Sequence, residues 1–191
     1  WELVECMGVE RTADIATAVY VGLMTDTGRF QYQNTDTRAF RTAYETVMAG
    51  VDPGALSREV YQNRRLASVE LEGRAISRMR MGSDGGFVLS WLSRADFEET
   101  CAVKSDAEPL IDTLRSLRGV RVACMLLDQG YGSIRGSFRA KHGTDVARLA
   151  RLYDGGGHKA AAGFTLFCSI EDAVEQVYSL LSTELSAEVD A

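Results

Sequence analysis

Two short apolar runs of strand length, Phe87–Leu92 and Val120–Leu127, constrain the fold of this chain more than any other feature. Runs of this length bounded by turn residues read as strands. Between them, Ser105–Leu117 has helical periodicity, with Ile111, Leu114 and Leu117 on one side. Gln129-Gly-Tyr-Gly132 is a hairpin signal that joins the second run to Ser133–Arg139, where apolar and polar residues alternate. Thr144–Tyr153 is helical through Val146, Leu149 and Leu152, Ala160–Cys168 is a further strand, and Ile170–Leu181 a closing helix. The pattern predicts an α+β unit of about 100 residues. The residues before it are mostly helical, over Thr12–Met24, Thr37–Ala49 and from Pro53 to about Arg80 with an interruption near Gln62. Phe30 and Tyr32 alternate with polar residues and predict a short strand. The Gly-rich turn near residue 84 marks the boundary between the two parts.

Composition narrows the function classes. A chain of 191 residues is one full-sized domain or two small ones. With 27 acidic and 21 basic residues, the net charge of −6 argues against non-specific binding to long nucleic acid. It leaves open a small phosphorylated ligand, which needs only a few local donors. No apolar run approaches the roughly 18–20 residues that span a bilayer, and no signal pattern opens the chain, so no membrane partner is expected. Cys6, Cys101, Cys124 and Cys168 are scattered without a C-x-x-C pair, and Cys124 and Cys168 fall in apolar runs. That usage points to a reducing, cytoplasmic location. The chain opens at Trp1 in a helix-like segment and reads as starting inside a longer protein.

Three segments could carry chemistry. Asp154 is followed by Gly155, Gly156, Gly157 and His158, then by Lys159-Ala-Ala-Ala-Gly163. Successive glycines let the backbone approach a ligand, and exposed N–H groups in such a turn form a concave anion site to which His158 can add a donor. The same residues also read as a helix C-cap and flexible turn. In the alternating segment, Arg135, Ser137 and Arg139 share one face of a strand, where two guanidinium forks could line a phosphate groove. An exposed face with solvated charges is the plainer reading. Thr25-Asp26-Thr27-Gly28 follows an apolar helix, and Asp26 could ligate a hard divalent cation or cap its own loop as an Asx-turn. A two-metal phosphoesterase needs several converging carboxylates and histidines. With His142 and His158 as the only histidines and no D-x-D or H-x-x-x-H spacing, no complete hydrolytic centre can be built and no catalytic residue is assigned.

Taken together, these segments resemble the oligoribonuclease and 3′-phosphoadenosine-5′-phosphate phosphatase proteins, NrnA type, of the DHH phosphoesterase superfamily. Tyr20–Phe30 with Asn34-Thr35 resembles the last motif of the DHH domain. Ser137-Phe-Arg-Ala140 and Gly155–Phe164 resemble the paired motifs of its associated domain. The resemblance implies an α/β (α+β) fold, with the helical end of a DHH domain at residues 1–82. A compact mixed-sheet associated domain follows at 83–191, and the two lobes flank a cleft. It implies two Mn²⁺ ions, with Mg²⁺ the other candidate, Asp26 as a metal ligand, Arg139 as a substrate-binding residue and Gly155–His158 as the glycine–histidine loop. Arg135 joins them through the shared strand face. The implied reaction is attack of a metal-bridged hydroxide on a phosphate ester. Very short RNAs of about two to five nucleotides, the bisphosphorylated adenosine, and linear or cyclic dinucleotides are the implied substrates. The early helices are where a homodimer would form by analogy.

Two departures stand out. The family often carries four glycines before the histidine, and here the first is Asp154. The upstream Asp and Asp-His-His motifs that supply most metal ligands are absent, which points to a fragment inactive by itself. The rival readings are a binding module for nucleotides or RNA ends without catalysis, and a single-strand exonuclease of the same superfamily.

Overall fold

The computed structural model describes residues 1–141 and 143–186. His142, counted above among potential ligands, lies outside the described residues. Contacts divide the chain into two compact units, Trp1–Asn63 and a second from Arg64 onward.

The first unit is helical: α1 (Glu2–Cys6), α2 (Ala13–Asp26), α3 (Thr37–Met48) and α4 (Pro53–Tyr61). Side-chain oxygens start three of them. Thr12 accepts from the Ile15 amide at 3.4 Å, Asp36 from Ala39 at 2.9 Å and Asp52 from Ala55 at 3.0 Å, with Pro53 pre-set at the first turn. Ala16, Tyr20, Met24 and Val51 form the buried centre. The strand expected at Phe30–Tyr32 is instead a turn. Arg29 and Phe30 both take left-handed φ values, 63° and 62°, and the Phe30 ring stacks on Phe40 at 5.5 Å. Among the described residues no strand lies beside this segment, so the ring finds its partial burial by turning back onto the helices.

The second unit holds α5 (Leu66–Ser77), β1 (Arg80–Met81), β2 (Phe87–Leu92), α6 (Arg94–Thr100), α7 (Lys104–Ala107) and α8 (Leu110–Arg115). It continues with β3 (Val122–Asp128), β4 (Ser133–Ala140), α9 (Val146–Arg151), β5 (Gly156–His158), β6 (Ala161–Phe167) and α10 (Ile170–Ser186). The strands form one six-stranded sheet in the order β1-β2-β3-β4-β6-β5, with β2 and β3 parallel and the other pairs antiparallel. The expected strands and helices are present, and β1, β5 and α6 are additions. A Ser93–Asp96 capping box starts α6.

Alternation along each strand divides the side chains between two cores. Phe87, Leu89, Cys124, Ile134, Phe138 and Phe164 pack under α9 and α10. Val88, Leu92, Ala123 and Met125 pack under α5, α7 and α8. The unit starts upstream of the change in composition near residue 84 because α5 belongs to this second core, through Leu71 and Ala75.

Candidate functional site

The helices of the second core cover their sheet face over β2 and β3. Across β4 and β6 the same face carries polar and small residues. Register fixes which ones meet. Arg139 lies opposite Ala161, and Ala161 opposite His158; Ser137 faces Gly163, and Gly163 faces Gly156; Arg135 faces Thr165. Residues directly opposite on antiparallel strands share a face, so Arg135, Ser137, Arg139, Gly156 and His158 stand on one strip with Ala161 and Gly163 as its floor. The intervening Ile134, Phe138 and Phe164 point the other way and are buried. Four residues separate the two arginines, so their Cα atoms stand roughly 13 Å apart along β4. Arg139 donates to the neighbouring Phe138 carbonyl at 3.2 Å. Among the described residues, neither arginine has a carboxylate partner.

The glycine loop differs from the expected anion turn. Helix α9 ends in a six-to-one bond from the Gly155 amide to the Ala150 carbonyl at 2.9 Å, and the Asp154 amide reaches the Arg151 carbonyl at 3.2 Å. That is a Schellman closure with Asp154 in the left-handed position, φ 53°. The position favours glycine, and aspartate is among the few other residues that tolerate it. Asp154 thus makes a turn that a glycine would make without strain. Beyond it the chain does not form a nest. Gly156–His158 extend as edge strand β5 against β6.

The three glycines have different surroundings. A Cβ on Gly155 would lie 2.3 Å from the Gly163 carbonyl oxygen, and one on Gly157 would lie 2.5 Å from the Ala161 carbonyl oxygen. A Cβ on Gly156 would meet nothing within 4 Å. Gly155 and Gly157 let the backbones of β5 and β6 close together, and Gly156 leaves the strip open beside His158.

Asp26 is the last residue of α2, in the first unit. Its carboxylate does not cap its own loop. Among the described residues it accepts from Asn34 Nδ2 alone, at 3.4 Å, and the same nitrogen donates to the Asp26 carbonyl at 3.2 Å. Asp26, Thr27 and Asn34 line a shallow cavity of about 450 Å³ together with Asp36 and Arg38. Asp36 is committed to capping α3. Among the described residues, no three His, Cys, Asp or Glu side chains converge as a metal would require. The residues present therefore do not make up a two-ion centre.

The two cavities belong to separate units: Asp26 in the first, Arg135 with Gly155 and Gly156 in a second cavity of about 500 Å³. Thr165 and Phe167 also line this second cavity, and the sequence reading did not single them out. The available signal was the alternation of Ala161, Gly163, Thr165 and Phe167 against the more apolar Ala162, Phe164 and Leu166.

Comparison with known proteins adds a family to this geometry. Residues 99–186 match the DHHA1 domain. The bifunctional oligoribonuclease and PAP phosphatase NrnA of Thermus thermophilus is 31% identical over 186 residues, covering 97% of this chain and 55% of that protein. Along nearly its whole length the chain is similar to NrnA-type proteins of the DHH superfamily, with the DHHA1 match in its second half. The Bacillus subtilis protein of the same name is 29% identical over 152 residues, covering 80% of this chain and 47% of its own length. A crystal structure of an exopolyphosphatase-related protein from Bacteroides fragilis superposes with a TM-score of 0.84 at 27% identity, over 92% of this chain and 52% of that one. The chain spans about half the length of these DHH relatives. Arg139, Gly155–His158 and the cavity beside Arg135 all lie within the DHHA1 match. No described helix is long and apolar enough to cross a membrane.

Proposed function

We propose that this chain supplies the substrate-holding part of a phosphoesterase that hydrolyses very short oligoribonucleotides to mononucleotides and 3′-phosphoadenosine-5′-phosphate (PAP) to AMP. The observation that carries the reading is the strip itself. Two guanidinium groups without carboxylate partners among the described residues and an exposed imidazole stand over a floor of alanine and glycine. A phosphate can approach such a floor closely and accept paired hydrogen bonds from an arginine fork. The row formed by Arg139, Ala161 and His158 holds the terminal phosphate. The names of the Thermus and Bacillus relatives support the substrate class. Asp26 offers one oxygen donor of the kind Mn²⁺ or Mg²⁺ accepts. One carboxylate does not hold a pair of ions, so no hydrolytic step is assigned to the described residues. The free thiols of Cys6 and Cys101, both exposed, favour a reducing cytoplasm.

Calorimetric titration of the 191-residue chain with PAP and with 5′-phosphorylated diadenylate tests the reading. Arg139→Ala and His158→Ala are each expected to weaken binding roughly tenfold or more, the size of a lost charge-assisted hydrogen bond. Affinities equal to the parent chain would remove the strip from substrate binding. AMP release with millimolar Mn²⁺ separates the roles: turnover above the His158→Ala control means a working centre, and binding without turnover means holding alone. Preference for long single strands would favour the exonuclease reading.

A further inference from the structure

The open strip has an end that phosphate holding does not use. Strand β5 pairs with β6 only as far as Gly163, so among the described residues Phe164–Phe167 have no strand on that side. The cavity of about 500 Å³ opens there, with Arg135, Tyr153, Asp154, Thr165 and Phe167 around it. Phe167 is opposite Ser133 and therefore on the Arg135 side of the sheet. The residue is 84% exposed, whereas Phe87, Phe138 and Phe164 are buried. An aromatic ring at the rim of a polar cavity offers a face on which a flat partner can stack. The Arg135 guanidinium lies directly across Gly163, where a Cβ would come within 2.6 Å of Nη2. The missing side chain at residue 163 is what lets Arg135 lie along the floor between the ring and the glycine loop. Asp154 forms the opposite lip, held in place by the Schellman closure that ends α9.

We propose that this cavity is a nucleobase subsite in which the Phe167 ring stacks a base and the Asp154 carboxylate accepts a hydrogen bond from an exocyclic amine. The inference rests on the phosphate-holding reading above. A phenyl face stacks on any base. An ionised carboxylate only accepts, so it matches the N6 amine of adenine or the N4 amine of cytosine and faces the O4 of uracil oxygen to oxygen. Phe167 is six residues along β6 from Ala161, in the phosphate row, a span of roughly 20 Å. A ligand that occupies both ends must therefore be an oligonucleotide. PAP held at the phosphate row does not reach the ring, and Arg135 lies between the two ends as a contact for an intervening phosphate.

The test titrates the full chain and two variants with PAP, with 5′-phosphorylated triadenylate and with 5′-phosphorylated triuridylate. Triadenylate is expected to bind more tightly than triuridylate. Phe167→Ala should weaken both trinucleotides roughly tenfold, the size of one base stacked on an aromatic ring, and leave PAP unchanged. The ring is exposed, so the variant keeps its fold, and a thermal melt checks this. Asp154→Gly retains the left-handed turn and should bring the two trinucleotides to equal affinity. Trinucleotide binding untouched by Phe167→Ala, or an equal loss for PAP, overturns the subsite while the phosphate reading stands. An unchanged preference in Asp154→Gly overturns the amine contact. Failure of the parent chain to bind PAP or either trinucleotide overturns the phosphate reading, and the subsite with it.

Discussion

Replacing each of the three loop glycines by alanine separates backbone closeness from ligand access. In Gly155→Ala the new methyl would start 2.3 Å from the Gly163 carbonyl oxygen, 2.7 Å from Phe164 Cβ and 2.9 Å from the Ala150 carbonyl oxygen. All three belong to rigid parts of the sheet or to the end of α9, so the loop itself must move. Overpacking of this kind costs about 1–3 kcal/mol. The shift also disturbs the Gly155–Ala150 closure, a hydrogen bond that contributes about 1 kcal/mol. A total of about 3 kcal/mol lowers the melting temperature of a unit this size by roughly 10 °C. Gly157→Ala meets a similar clash, at 2.5 Å and 2.6 Å from the Ala161 carbonyl oxygen and Ala162 Cα, at φ +148° where L residues are strained. Its loss should be at least as large. Gly156→Ala meets open space and should melt within about 0.5 kcal/mol of the parent. Its methyl nevertheless projects onto the strip beside His158, and PAP affinity should fall roughly tenfold, about 1.4 kcal/mol. Circular dichroism melts and calorimetry on the three variants check this. A Gly156→Ala melt as low as that of Gly155→Ala, or Gly155→Ala melting like the parent, would refute the reasoning.

The remaining predictions concern the frame behind the strip. Asp96 is 1% exposed; it accepts from Arg78, and from Arg74 Nη1 at 2.9 Å and the Ser93 amide at 2.7 Å. Asp96→Asn leaves Arg78 without its anion and Arg74 with Glu99 alone, and should destabilise by about 3 kcal/mol, read by urea denaturation. Burial by itself would raise the Asp96 pKa, but the Arg78 and Arg74 guanidiniums and Ser93 outweigh it and hold the carboxyl well below the usual carboxylate range. A depressed folded pKa contributes stability above the unfolded value of about 4 and loses it as pH falls below that. Acid titration of the parent should therefore show a loss of stability below about pH 4 that Asp96→Asn lacks. Burial pushes the Cys124 thiol up, while Cys6 and Cys101 are exposed. A thiol reagent at neutral pH should label the two exposed cysteines first and reach Cys124 only with unfolding.

Much of this was legible from local pattern. Side chains alternate along a strand with a period of two. The spacing of Arg135, Ser137 and Arg139 therefore put all three on one face before any partner strand was known. Helix caps were equally local: Thr12 and Pro53 sit where the sequence places the starts of α2 and α4. The turn at Phe30–Tyr32 was misread because an alternating pair looks the same whether or not a neighbouring strand exists to pair with it. The triple glycine was open to several readings, since its extended form depends on β6, which follows it in the chain. Phe167 lies within an apolar run and looks like a core residue until register places it opposite Ser133.

By itself, then, the sequence determined the order of helices and strands, the face shared by the two arginines and the glycine-bounded loop before His158. Those are set by φ/ψ preference and by side-chain period, which act within a few residues. The tertiary structure alone decided that His158 joins Arg139 across Ala161, that Gly163 makes room for Arg135, and that Phe167 faces water. Each depends on strand pairing between segments distant in sequence, where a shift of one residue would turn every side chain to the opposite face.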